Sequence, residues 1–162
     1  MSAAKRKARI LMVDDHEILR EGVRSLLAKV RPEWQISGEA TDGDQAISLT
    51  QSLRPDIVIL DISMPRVSGL EACHRMREMG LRIPVLIFTT HESETIDAEV
   101  RRAGAQGYVL KSQAARNLVH AIGAILGGGT FFGEPSAPRK SPSAKPRSDP
   151  GMVHRKRLAR AN

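Results

Sequence analysis

Four groups of residues in this chain carry side chains suited to handling a phosphate: the adjacent acids Asp14-Asp15, the single acid Asp61, the hydroxyl pair Thr89-Thr90, and Lys111. Each follows a short apolar run, respectively ILMV, IVIL, VLIF and YVL. Taken singly they are weak signals. An acidic pair ahead of a helix can simply cap it, a lone Asp is often a loop acid, and most lysines are solvated. Taken together they describe a chemistry. Three carboxylates held close repel one another. A divalent cation relieves that repulsion, and oxygen ligands with room for water suit Mg²⁺. The ammonium and a hydroxyl are left to hold phosphate oxygens. Phosphoryl transfer depends chiefly on positioning and charge neutralisation, and a carboxylate can itself be the acceptor, forming an aspartyl phosphate.

Such a set needs an architecture that delivers all its members to one edge. The apolar runs alternate with helical patterns from Arg9 to about Gly127. Strands are predicted at residues 10–13, 34–40, 57–60, 85–88 and 108–110. Between and after them, apolar residues recur at helical spacing: Ile18, Leu19, Val23, Leu26, Leu27 and Val30; then residues 44–53; then Leu70, Cys73, Met76 and Met79; then Ile96, Val100 and Ala103; and last Ala115, Leu118, Val119, Ile122, Ile125 and Leu126. Pro32, Gly104 and the run Gly127-Gly128-Gly129 supply stops. This (βα)₅ pattern implies an α/β fold with a doubly wound parallel sheet covered on both faces. The segment 34–40 alternates in polarity and is expected at an edge. In an open parallel sheet, ligands bind beyond the carboxyl ends of the strands, which is where the four groups fall.

Composition narrows the setting. Hydrophobic residues make up 41% of the 162 and aromatic residues 3%, so the core must be mainly aliphatic. The one cysteine, Cys73, cannot form an internal disulfide. No apolar run approaches the roughly 20 residues that span a bilayer, and no signal peptide is evident. A cytoplasmic protein with no membrane partner is expected. Residues 1–130 hold 17 Lys+Arg against 16 Asp+Glu, whereas residues 131–162 hold 8 against 2. The formal charge of +7 is therefore mostly a property of the last segment, which is rich in Pro and Ser. A domain over residues 8–128 and a basic tail over 129–162, expected to be disordered, are the predicted divisions.

The stretches ILMVDDHEILREG, DIVILDISMPRVSGLE, PVLIFTTHE and AGAQGYVLKS, in that order, resemble the receiver domain of two-component response regulators. The resemblance covers about residues 8–128. It implies the flavodoxin-like five-stranded order 2-1-3-4-5. It also implies that Asp61 is the phosphoacceptor, that Asp14, Asp15, Asp61 and the backbone carbonyl of Ser63 surround Mg²⁺, and that Thr89 and Lys111 hold the phosphoryl group. Asp15 would bind the cation directly and Asp14 partly through water. Tyr108 corresponds to the aromatic that changes rotamer on activation. The expected function is phosphorelay signalling, by a phosphoacceptor rather than a turnover enzyme. The implied partners are a sensor histidine kinase or phosphotransfer protein, and a homodimer on phosphorylation.

Ser112 stands where the wider family usually has proline. That variant, with DDHEILREG and GGTFF, is similar to the NarL/FixJ-like subgroup. Members of that subgroup usually continue into a helix-turn-helix domain. The 32 residues after Thr130 contain no pair of helices at recognition spacing, so sequence-specific DNA readout is not expected. Two alternatives stand beside the receiver reading: a DNA-associated regulator acting through the basic tail, and a truncated regulator that lost its output domain. An aspartyl-nucleophile phosphatase fits less well, because Ser63 occupies the place where such enzymes carry a second acid. His16 reads as a helix-start residue rather than a ligand, His74 and His91 as surface residues, and Cys73 as core.

Overall fold

The structure is a computed structural model, and it describes residues 7–132. Strands β1 (Ala8–Val13), β2 (Trp34–Ala40), β3 (Ile57–Leu60), β4 (Val85–Thr89) and β5 (Gly107–Leu110) alternate with helices α1 (Glu17–Val30), α2 (Gly43–Leu53), α3 (Gly69–Glu78), α4 (Ile96–Ala103) and α5 (Ala114–Leu126). All pairings are parallel. Successive side chains of a strand point to opposite faces. Leu11 and Val13 of β1 accordingly join Ala46, Ala72, Cys73, Met76 and Val100 under α2, α3 and α4. Ile10 and Met12 join Val23, Leu27, Leu118 and Ile122 under α1 and α5. Every residue of β3 and β4 is buried, which explains their unbroken apolar runs.

The strand order is β2-β1-β3-β4-β5-β6, so the sheet has six strands where five were expected. The extra strand β6 (Phe131–Phe132) pairs in parallel with β5, Gly107 facing Phe131 and Tyr108 facing Phe132. It lies past residue 128, so the sheet extends beyond the predicted domain boundary. Gly107 makes this approach possible: a Cβ there would stand 2.0 Å from the Phe131 carbonyl oxygen. β2 lies at an edge as expected, and a bulge interrupts its register with β1 between Ile10 and Leu11.

Three positions on the predicted apolar stripes face outward. Ile18 is 86% exposed, and Val30 and Met79 are half exposed. Met79 is the residue that ends α3, and Leu81 beyond it turns back into the core. Among the described residues, no helix is long and apolar enough to cross a membrane. Of the tail predicted over residues 129–162, the first four are described and include β6, against the expected disorder; residues 133–162 lie outside the described residues.

Candidate functional site

Asp14 and Asp61 each stand one residue past a strand, and the backbone ladder runs on through both. The Asp14 N–H donates to Ala40 O and the Asp61 N–H to Val13 O, each at 3.0 Å. Both carboxylates are buried, with exposures of 0% and 1%. Lys111 opens a single 3₁₀ turn, Lys111–Gln113, directly after β5. Its ammonium lies 2.6 Å from Asp14 Oδ2 and 3.2 Å from Asp61 Oδ2. These contacts are ionic rather than well-directed hydrogen bonds, and both Oδ2 atoms remain without a hydrogen-bond partner.

Asp15 is exposed at the rim. One ligand atom from each of Asp14, Asp15, His16 and Asp61 lies within 4.8 Å of the others. Three ionised carboxylates and one ammonium leave two negative charges uncompensated, which a divalent cation would balance. That charge imbalance and the carboxylate-rich donor set fit a hard cation such as Mg²⁺. Burial raises the Asp61 carboxyl above its ordinary range and the Asp14 charge pushes the same way, while Lys111 and the Ser63 N–H oppose them.

The loop after β3 is shaped around Asp61. The Ser63 N–H donates to Asp61 Oδ1 at 3.3 Å. The Gly69 N–H donates to Ile62 O at 3.0 Å, and a Cβ on Gly69 would fall 1.9 Å from the Asp61 carbonyl oxygen. Only glycine lets the first turn of α3 sit this close behind the acid. Ser68 caps that helix by accepting from the Glu71 N–H. Arg66, in the left-handed region at φ 68°, reaches across to Asp42 at 3.0 Å. Asp42 in turn caps α2 by accepting from the Gln45 N–H. The loop is thus tied to two helix starts.

Thr89 is the last residue of β4, fully buried, with its hydroxyl accepting from the His91 N–H at 3.0 Å. Thr90 is exposed. Tyr108 is buried on β5, its ring edge-on to Phe132 with centroids 6.4 Å apart. The Arg101 guanidinium covers the other ring of that pair, 3.6 Å from the Phe132 centroid. Lys111 contacts both Asp14 and Asp61, Asp15 and Ser63 border them, and Thr89 closes the neighbouring strand. Tyr108 lies in the core under α4, next to the sixth strand.

Two further residues belong to the site. His16 precedes α1, as a helix-start residue should. Its backbone N–H and its Nδ1 are nevertheless both 2.8 Å from Asp14 Oδ1. Arg20, one turn on, donates to the Asp14 carbonyl at 2.6 Å and lies 3.4 Å from Glu39. The Asp-Asp-His run was a visible signal for the first; nothing local marks the second. Asp14 accepts from His16 ahead of the helix and does not act as the cap of α1. Cys73 is fully buried, and desolvation pushes its thiol up to about 11, so it is inert packing. His74 and His91 are at the surface.

Comparison with known proteins agrees with this geometry. The family described as response regulator receiver domain matches residues 10–123. The nitrate/nitrite response regulator protein NarL of Escherichia coli K12 is 38% identical over 133 residues, covering 81% of this chain and 60% of the relative. A crystal structure of a LuxR-family two-component response regulator from Aurantimonas sp. SI85-9A1 superposes with a TM-score of 0.73 at 40% identity, covering 78% of this chain and 89% of the other. The signal receiver domain of the putative response regulator NarL from Mycobacterium tuberculosis superposes at 0.71 with 31% identity, covering 76% and 98%. The chain spans 53% and 60% of the length of two curated relatives it matches.

Proposed function

This chain belongs to the response regulator receiver domain family of two-component systems, and from that premise we propose that Asp61 is its phosphoryl acceptor. The observation that carries the reading is the buried pair Asp14 and Asp61 facing one ammonium, Lys111, at the carboxyl ends of β1, β3 and β5.

The donor is a phosphohistidine on a sensor kinase or phosphotransfer protein. An Asp61 carboxylate oxygen attacks phosphorus, the P–N bond breaks, and the imidazole nitrogen leaves with the electron pair and takes a proton. Mg²⁺ would be held by Asp15, Asp61 and the Ser63 carbonyl, with Asp14 acting partly through water, and would supply charge neutralisation to the phosphoryl oxygens. Lys111 pairs with the transferred group. Thr89 exchanges its present bond from the His91 N–H for one to the phosphoryl group, and Tyr108 repacks with it, shifting the face formed by α4, β5 and α5. That face then serves a partner or a second copy of this chain. The basic segment after residue 128 is not proposed to read DNA sequence.

A groove of about 660 Å³ opens beside the site between α1 and α5, lined by Ile18, Leu19, Leu26, Ala114 and Ala115 with Lys111 at one end. The outward Ile18 and this apolar floor suit a helical donor that must bring its phosphohistidine to Asp61.

Incubating the chain with Mg²⁺ and a small acyl phosphate tests the reading. The expected result is one added phosphoryl group in the intact mass, hydroxylamine-labile, and absent from Asp61→Ala. Wild type that stays unmodified, or an Asp61→Ala variant labelled equally, would sink it.

A further inference from the structure

His16 stands at the mouth of the carboxylate cluster, and its ring nitrogen is placed as a fourth donor. Nδ1 lies 2.8 Å from Asp14 Oδ1 and 3.1 Å from Asp15 Oδ1. Adjacent ligands on an octahedral ion bound at about 2.1 Å are about 3.0 Å apart. The 3.1 Å separation from Asp15 Oδ1, the acid read as a direct ligand, matches that spacing. One ligand atom from each of Asp14, Asp15, His16 and Asp61 lies within 4.8 Å of the others, so the imidazole belongs to the same donor cluster as the buried acids. The side chain of His16 is 65% exposed, which leaves an open path for an ion.

An imidazole changes which ion such a site prefers. All-oxygen sites suit Mg²⁺, whereas imidazole favours later first-row divalent metals, whose affinities rise from Mn²⁺ through Co²⁺ and Ni²⁺. We propose that His16 Nδ1 is a direct metal ligand, giving this site a preference for a nitrogen-accepting cation such as Co²⁺ over Mg²⁺. The inference rests on reading the cluster as a cation site. In this role the imidazole is neutral, with its proton on Nε2. Nδ1, which as a protonated nitrogen donates to Asp14 Oδ1 at 2.8 Å, would give up that proton and turn its freed lone pair to the metal. The His16 backbone N–H keeps its bond to Asp14 Oδ1, so the acid stays oriented.

Calorimetric titration of the full chain with Co²⁺ and, separately, with Mg²⁺ decides the matter, without any phosphodonor. His16→Ala should lose Co²⁺ affinity by about tenfold or more while Mg²⁺ affinity stays within about twofold, and the visible absorption of the Co²⁺ complex should shift. Asp15→Asn should weaken both ions, which assigns the signal to this cluster and not to other histidines. A Co²⁺ affinity unchanged by His16→Ala overturns the proposal. So does an equal loss for both ions, since a histidine that merely orients Asp14 would act on both alike. Failure here leaves Asp61 labelling in Mg²⁺ untouched, and failure of that labelling leaves the Co²⁺ to Mg²⁺ ratio readable.

Discussion

Burial and the Asp14 charge raise the Asp61 carboxyl, with Lys111 only partly opposing them. A carboxyl whose pKa is higher in the folded than in the unfolded chain binds more protons when folded. Stability therefore falls as pH rises from the ordinary carboxylate value through the raised one, and the penalty is present once the carboxyl is ionised. In chelator at pH 7, Asp61→Asn should be more stable than wild type by roughly 0.5–2 kcal/mol. Urea melts should show that gain shrinking toward pH 4 and shrinking again when Mg²⁺ is added to both proteins. An Asn variant no more stable than wild type at pH 7 would mean that Lys111 already neutralises the pair. The same charges explain what was legible at this scale. Asp14, Asp61 and Lys111 could be picked out because each directly follows an apolar run. Arg20 could not, because its bond to the site goes to a backbone carbonyl, which leaves no trace in residue type.

At the scale of elements, two glycines set distances that no larger residue allows. Gly69 starts α3 against the Asp61 carbonyl. Gly69→Ala must push the helix start away, at a cost of about 1–3 kcal/mol, and should slow Asp61 phosphorylation more than it slows folding. Stopped-flow labelling alongside refolding would separate the two, and an unchanged labelling rate would refute the positioning role. Gly107 admits β6 in the same manner. In Gly107→Ala the Phe131 N–H, which now donates to Gln106 O at 3.0 Å, should lose its protection from hydrogen exchange while β1, β3 and β4 keep theirs. The strands that carry the site were readable from their unbroken apolar runs. β6 was not, since two phenylalanines beside a Pro-rich stretch are too short to show any period.

Across the whole molecule, a single sheet separates two cores and belongs to both. The two sides should therefore melt together. Leu60→Ala opens a cavity under α2, α3 and α4, and should lower stability by about 3 kcal/mol. Trp34 lies in the opposite core, yet its fluorescence transition in urea should move by the same amount as the far-ultraviolet circular dichroism. Transitions that part company would show two units that fold independently. The α/β alternation predicted this division correctly because sheet faces alternate with residue parity. Ile18 sits on the periodic apolar stripe of α1 and is nevertheless exposed, because periodicity measures spacing and not solvent contact.

The two sides of the sheet differ in how they resist the addition of foreign strands. At one border β2 presents Gln35, Ser37 and Glu39 and a bulge, features that discourage pairing with another chain. At the other, among the described residues, the apolar β5 is flanked by the two residues of β6. A chain that sheds Phe131 and Phe132 would expose an uncharged, apolar strand there. Its first symptom would be insolubility, appearing while the phosphate chemistry at the far end of the strands was still intact.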